Sequence, residues 1–203
     1  MAEGSTSPGH ATRSVETTRG LLTYAQLAPL LAERVLAVEQ QIAARDFQSR
    51  ILDGEFTRFL HHAIAGDLVP GWAGQWRTIA VQVGAHEPPA PHEIPLRMRD
   101  YSDDLATRLA HLTDDLFLET LAFAEGRLLS IHPFRDFNGR VTRLFLRELL
   151  RRLEIPPVDL VPTTRPDESG YFAALRAGDT LNWQPLIAVW RLRLERFAPT
   201  DAS

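Results

Sequence analysis

Apolar positions in this chain recur mostly every three or four residues, the spacing of helices that bury one face. The first such run opens at Thr23, which pairs with Gln26 in the pattern of a capping box. Leu27, Leu30, Leu31, Val35, Val38 and Ile42 follow, predicting a helix that runs towards Phe47, with Pro29 either breaking it or opening its main part. Asp53-Gly54 reads as the cap of a second helix that buries Phe56, Phe59, Leu60 and Ile64 and ends at Gly66. A third is expected over 94–112, with Leu96, Met98, Leu105 and Leu109 on its apolar side. The fourth, 113–130, is apolar on most faces and is therefore predicted to be the central buried helix. Leu144, Leu146, Leu149, Leu150 and Leu153 stripe a fifth, and further helices are expected near 169–177 and over 183–197.

One stretch breaks the helical rhythm. Thr78, Ala80 and Gln82 alternate with Ile79, Val81 and Val83, the period-2 pattern of a strand. The proline-rich segment from Pro88 to Pro95 cannot continue a ladder, so a short hairpin-like flap is expected here. Trp72 and Trp76 beside it read as core anchors. Residues 1–19 are rich in Ser, Thr and Gly and read as a disordered tail, with 20–198 as one domain and 199–203 as a C-terminal tail. The expected fold class is all-α: a bundle of about six to eight helices with one small β-hairpin flap.

Composition narrows the function classes. The 203 residues, 44% of them apolar, suffice for one sizeable core. A net charge of −4 argues against a nucleic-acid binder held by phosphate contacts. All 22 basic residues are arginine, and the absence of cysteine removes disulfides, thiolate metal sites and cysteine nucleophiles. No apolar run approaches the roughly 18 residues that span a bilayer. The first residues lack the apolar core of a signal peptide. A cytoplasmic protein with neither membrane nor nucleic acid as partner is the expectation; secretion into a host cell cannot be read from such a tail.

The chemistry concentrates in Ile131 to Arg143, IHPFRDFNGRVTR. A turn that opens a helix presents unpaired N–H groups and the positive end of the macrodipole, which suits phosphate. Gly139 lets backbone approach a ligand, and Asn138 tolerates unusual dihedrals. Arg140 and Arg143, three apart, share a helical face as forks for phosphate oxygens. Asp136 is a hard oxygen ligand suited to Mg²⁺, and His132 can take a proton near neutral pH. His61 and His62 point about 100° apart on a helix, so they read as core or surface histidines and not as a metal pair.

HPFRDFNGRVTR resembles the signature of the Fic (Fic/Doc) family, H-x-F-x-[D/E]-[G/A]-N-[G/K]-R-x-x-R, and departs from it only where Phe137 replaces a small residue. LHHAIAGDLVPGWAGQWRT and GYFAALRAGDTLNWQPLI resemble two further stretches of that family, so the likeness extends over about 21–197. It implies a mostly helical Mg²⁺-dependent protein adenylyltransferase that moves AMP from ATP to a Tyr, Ser or Thr hydroxyl. By resemblance, His132 is the general base, Asp136 binds Mg²⁺, and Phe134 anchors the loop on the core. Asn138 and the amides around Gly139 hold the α-phosphate, while Arg140 and Arg143 neutralise the β- and γ-phosphates. Tyr171 walls the base or ribose, and the target protein docks by strand addition on the flap, Arg77 to Val83. Gly139, where some members have lysine, favours nucleotidyl transfer over phosphotransfer. Phe137 lies at the nucleotide site by position, and its ring is expected to face outward or towards the target. An inward ring would instead redirect the donor, to UMP, GMP or phosphocholine transfer, or leave a non-catalytic binding module. Many members carry an inhibitory [S/T]-x-x-x-E-[G/N] helix. Ser49 to Gly54 matches it loosely, with Asp53 for glutamate, and reads better as an N-cap, so any restraint is expected from an inhibitory partner protein, oligomerisation or restricted expression. Toxin or effector roles are common among such proteins.

Overall fold

The computed structural model describes residues 14–162 and 164–196. Among them the chain forms a hairpin of β1 (Ser14–Thr17) and β2 (Gly20–Thr23), followed by seven helices. These are α1 (Tyr24–Ala43), α2 (Gly54–Ala65), α3 (Ile94–Ala110), α4 (Asp114–Ile131), α5 (Asn138–Arg152), α6 (Arg165–Asp179) and α7 (Gln184–Glu195).

The capping signals act as their chemistry requires. The Thr23 N–H donates to Gln26 Oε1 at 2.9 Å, and the Gln26 N–H to Thr23 Oγ1 at 3.3 Å. With that start fixed, α1 runs through Pro29 without breaking and buries Leu27, Leu31, Val38 and Ile42. Asp53 is the N-cap of α2, its Oδ1 accepting from the Phe56 N–H at 2.8 Å.

Helix α4 is the centre of the bundle, packed against α3, α5, α6 and α7 and buried on most faces. Gly126 lets Trp183, at the N-cap of α7, pack close, since a Cβ there would lie 2.6 Å from its ring. Helix α5 turns Val141, Leu144, Phe145 and Leu149 inward against α1, α2 and α4. Each such side chain contributes about 1.5–3 kcal/mol of burial. Residues 132–137 join these two helices, which places the motif loop at the centre of the bundle.

The β element is not where the alternation predicted it. Beside the flap, Val83 and His86 form an isolated antiparallel bridge and no ladder. The physical reason is local: prolines in the returning strand remove donors, and the Arg77 side chain takes the Ile79 and Pro89 carbonyls instead. The sheet is the N-terminal hairpin, in the register Ser14 to Thr23 and Thr17 to Gly20. Residues 14–19, expected as tail, are thus structured. Gly20 at φ +92° makes the turn, and the Thr18 N–H donates to the Leu68 carbonyl at 2.9 Å. The rest of the expected N-terminal tail (1–13), Phe197 and the expected C-terminal tail lie outside the described residues.

Candidate active site

Helix α4 ends in a left-handed residue, His132, at φ 50° and ψ 59°. A non-glycine residue in this region needs support from its surroundings, and Arg77 supplies it. The Arg77 N–H donates to the Pro133 carbonyl at 2.8 Å, and its Nε donates to the His132 carbonyl at 2.8 Å. Its Nη atoms reach Ile79 O at 3.0 Å, Pro89 O at 2.6 Å and Ile131 O at 3.4 Å. One buried guanidinium thus joins both feet of the flap to the end of α4, where the helix dipole favours a cation.

The His132 ring is half-buried, with Nδ1 3.3 Å from the Leu129 carbonyl. That acceptor assigns the ring proton to Nδ1 and leaves the Nε2 lone pair available. Burial lowers its pKa to about 4, aided by the charge of Arg77 and by His86 and opposed by the Leu129 contact. At neutral pH the ring is therefore unprotonated and can accept a proton.

The loop after it is tied down by side chains. Asn138 Oδ1 accepts from the Phe134 N–H and Asn138 Nδ2 donates to the Phe134 carbonyl, both at 2.9 Å. Its amide side chain is thus engaged within the loop, and its backbone N–H stands at the start of α5. Phe134 is fully buried and stacks on His61, with ring centroids 4.2 Å apart and planes 8° apart. His61 Nδ1 accepts from the Gly74 N–H at 2.7 Å, so the ring proton sits on Nε2 and is donated to the Asp136 carbonyl at 3.3 Å. Burial lowers this histidine also to about 4, against the Asp136 contact.

Asp136 is anchored at both oxygens: Oδ1 accepts from the Phe137 N–H at 2.7 Å, and Oδ2 accepts from the Tyr24 hydroxyl. Phe137 itself is left-handed, at φ 61°, which explains why a small residue would suit this position. Its ring faces neither solvent nor target. It is buried and stacks on Trp72 at 5.5 Å and on His61 at 6.1 Å. The expected outward or target-facing ring is thus corrected: burying an aromatic side chain outweighs the modest strain of its backbone.

The first turn of α5 supplies the anion-binding features. The N–H groups of Asn138 and Gly139 have no acceptor among the described residues. Gly139 has ordinary helical backbone, and a Cβ there would meet only the flexible end of Arg143 at 3.4 Å. Arg140 and Arg143 have no hydrogen-bond or ion-pair partner among the described residues, and burial lowers the pKa of both. They line a cavity of about 270 Å³ with Ala28 and Ala32 of α1. A second cavity, of about 410 Å³, lies between β1, Trp72 and Asp136.

Tyr171 is held away from free rotation. Its hydroxyl donates to Glu125 Oε1 at 2.7 Å, and Arg193 pairs with Glu125 Oε2 at 2.6 Å, beside Arg143. Only the Tyr171 ring is left to wall a ligand. Sequence reasoning missed His61 as a support of the loop, Tyr24 beside Asp136, and the Glu125–Arg193 pair. Of these, only His61 had a signal, in the LHH stretch already matched by resemblance.

The sequence profile of the Fic/DOC family matches residues 51–150. The protein adenylyltransferase Fic of Aedes aegypti is 32% identical over 120 residues, 59% of this chain but 24% of that protein. The chain thus spans about a quarter of the length of the curated relatives it matches. The Fic domain of the effector Bep8 from Bartonella sp. 1-1C superposes with a TM-score of 0.72 at 16% identity, over 98% of both chains. BepC of Bartonella tribocorum, solved with bound AMPPNP, superposes at 0.69 and 19% identity over 90% of this chain and 92% of that one. Profile, relatives and fold agree with the motif loop built here, and the chain belongs to the Fic/DOC family.

Proposed function

We propose that this chain is a protein adenylyltransferase that transfers AMP from ATP to a hydroxyl of a target protein. One observation carries the reading: a neutral His132 with an available Nε2 precedes a helix start where two N–H groups and two arginines have no partner among the described residues. Arg140 and Arg143 bind and neutralise the β- and γ-phosphates, and the amides of Asn138 and Gly139 hold the α-phosphate. His132 Nε2 takes the proton of the incoming hydroxyl. That oxygen forms a bond to the α-phosphorus as the bond to the β-phosphate oxygen breaks, and pyrophosphate leaves.

Asp136 would hold Mg²⁺, and the donor set fits the ion. No group of three or more acidic, histidine or cysteine ligands exists among the described residues. Mg²⁺ suits one carboxylate completed by substrate phosphates and water. When bound, the ion supplies charge neutralisation at the phosphates. The target docks beside Thr78 to Ala80, which are exposed and outside any ladder, and β-augmentation would place its hydroxyl towards His132.

The test is incubation with labelled ATP, UTP, GTP or CDP-choline, Mg²⁺ and cell lysate, alongside His132→Ala. Label from ATP that disappears in the variant is the expected result. Label from another donor instead would reassign the donor, and no label with no nucleotide-induced thermal shift would make the chain a binding module.

A further inference from the structure

His86 sits at the far end of the flap and carries none of the chemistry above. Its Nε2 lies 2.8 Å from the Ser130 carbonyl, and its Nδ1 lies 3.2 Å from Asp179 Oδ2. Both ring nitrogens thus face acceptors, one on the helix that delivers His132 and one at the end of α6. A neutral imidazole has a single N–H, so either tautomer satisfies one acceptor and turns a lone pair on the other. The arrangement closes only when His86 and Asp179 hold one proton between them, on the ring or on the carboxyl.

We infer that His86 is a positioning residue that fastens the flap to the helix carrying His132, through a proton shared with Asp179. The flap has little else to hold its far end. Arg77 clips its feet, and the far end closes on itself through the Val83–His86 bridge and Gln82 Nε2, which donates to Gly84 O and His86 O at 3.0 Å. Other charged groups face this pair. Arg176 approaches Asp179 from α6, and His132 approaches His86 from the end of α4. Burial raises the Asp179 pKa, opposed by His86, the Ser130 side chain and Arg176, which favours keeping the proton within the pair. Without that proton the ring has a single N–H, and the flap keeps only one of its two ties, to α4 or to α6.

The consequence for target docking rests on the adenylyltransferase reading, but the latch itself is measurable without activity. Hydrogen exchange of the flap amides is followed in wild type, His86→Ala and Asp179→Asn. In His86→Ala the Val83 amide exchanges about tenfold faster than in wild type, the factor that about 1.4 kcal/mol of lost closure gives. In Asp179→Asn the new amide donates to Nδ1 while Nε2–H serves Ser130, so exchange stays as slow as in wild type. His86→Ala behaving as wild type, or Asp179→Asn exchanging as fast as His86→Ala, would each overturn the latch. In labelling assays His86→Ala raises KM for the target more than it lowers kcat. Exchange behaving as stated with KM unchanged would uphold the latch and overturn docking on the flap.

Discussion

The motif loop and the flap flank the same histidine but are built in opposite ways. Residues 133–138 are held by side chains that reach backbone: Asn138 on both polar groups of Phe134, His61 on the Asp136 carbonyl, Asp136 on the Phe137 N–H. The flap is held at its feet by Arg77 and at its far end by His86, and the segment between lacks a ladder. The difference follows the work assigned to each. A phosphate site gains from donors fixed before the ligand arrives, whereas a docking strand needs backbone groups left unpaired for the partner.

The largest effect that would sharpen this contrast is at His132. His132→Ala should lower target labelling about 10²- to 10⁴-fold, the range for a positioned general base, while nucleotide-induced thermal stabilisation persists. Loss of stabilisation together with labelling would assign His132 to binding. Arg77→Ala should cost about 3 kcal/mol in urea unfolding, because buried carbonyls at both flap feet and at the end of α4 lose a charged donor. A loss confined to labelling would place Arg77 with the flap alone.

Within the loop, Asn138→Ala should cost about 2 kcal/mol by leaving two buried Phe134 groups unpaired, and nucleotide affinity should fall with it. Acid tests the same side. His61 and His132 titrate near 4 when folded and near the ordinary 6.5 when unfolded. The unfolded chain therefore binds more protons between these values, and stability falls as pH drops through that window. The slope is up to about 1.4 kcal/mol per pH unit for each histidine. Denaturant titrations from pH 7 to pH 4 read it, and a flat profile would contradict the buried neutral rings. Smallest in stability is Gly139→Ala, under about 0.5 kcal/mol, because the added Cβ meets only the end of Arg143. Nucleotide affinity, read by calorimetry, should drop more, since the methyl stands at the phosphate-facing turn.

Much of this was legible in sequence because it is local. Caps at Thr23 and Asp53 depend on residues three apart, and the helical stripes depend on spacing alone. The His132 to Arg143 loop is contiguous, so the turn and the helix it opens could be read from its composition. The flap misled because alternation reports a half-buried extended segment and not whether a partner edge exists. The hairpin at 14–23 escaped because short strands rich in Ser, Thr and Glu resemble a polar tail.

Sequence alone determined which helix is central and that the loop after it opens another helix. Tertiary structure decided what the residues there are free to do. It turned the Asn138 side chain inward, buried the Phe137 ring on Trp72, and left Arg140 and Arg143 without a hydrogen-bond or ion-pair partner among the described residues. It also brought His61, Tyr24, Arg77 and His86 to the loop or its flanks from distant positions. Periodicity and capping are properties of neighbours in the chain. Hydrogen-bond satisfaction is a property of neighbours in space, and there the competition for each donor and acceptor is settled.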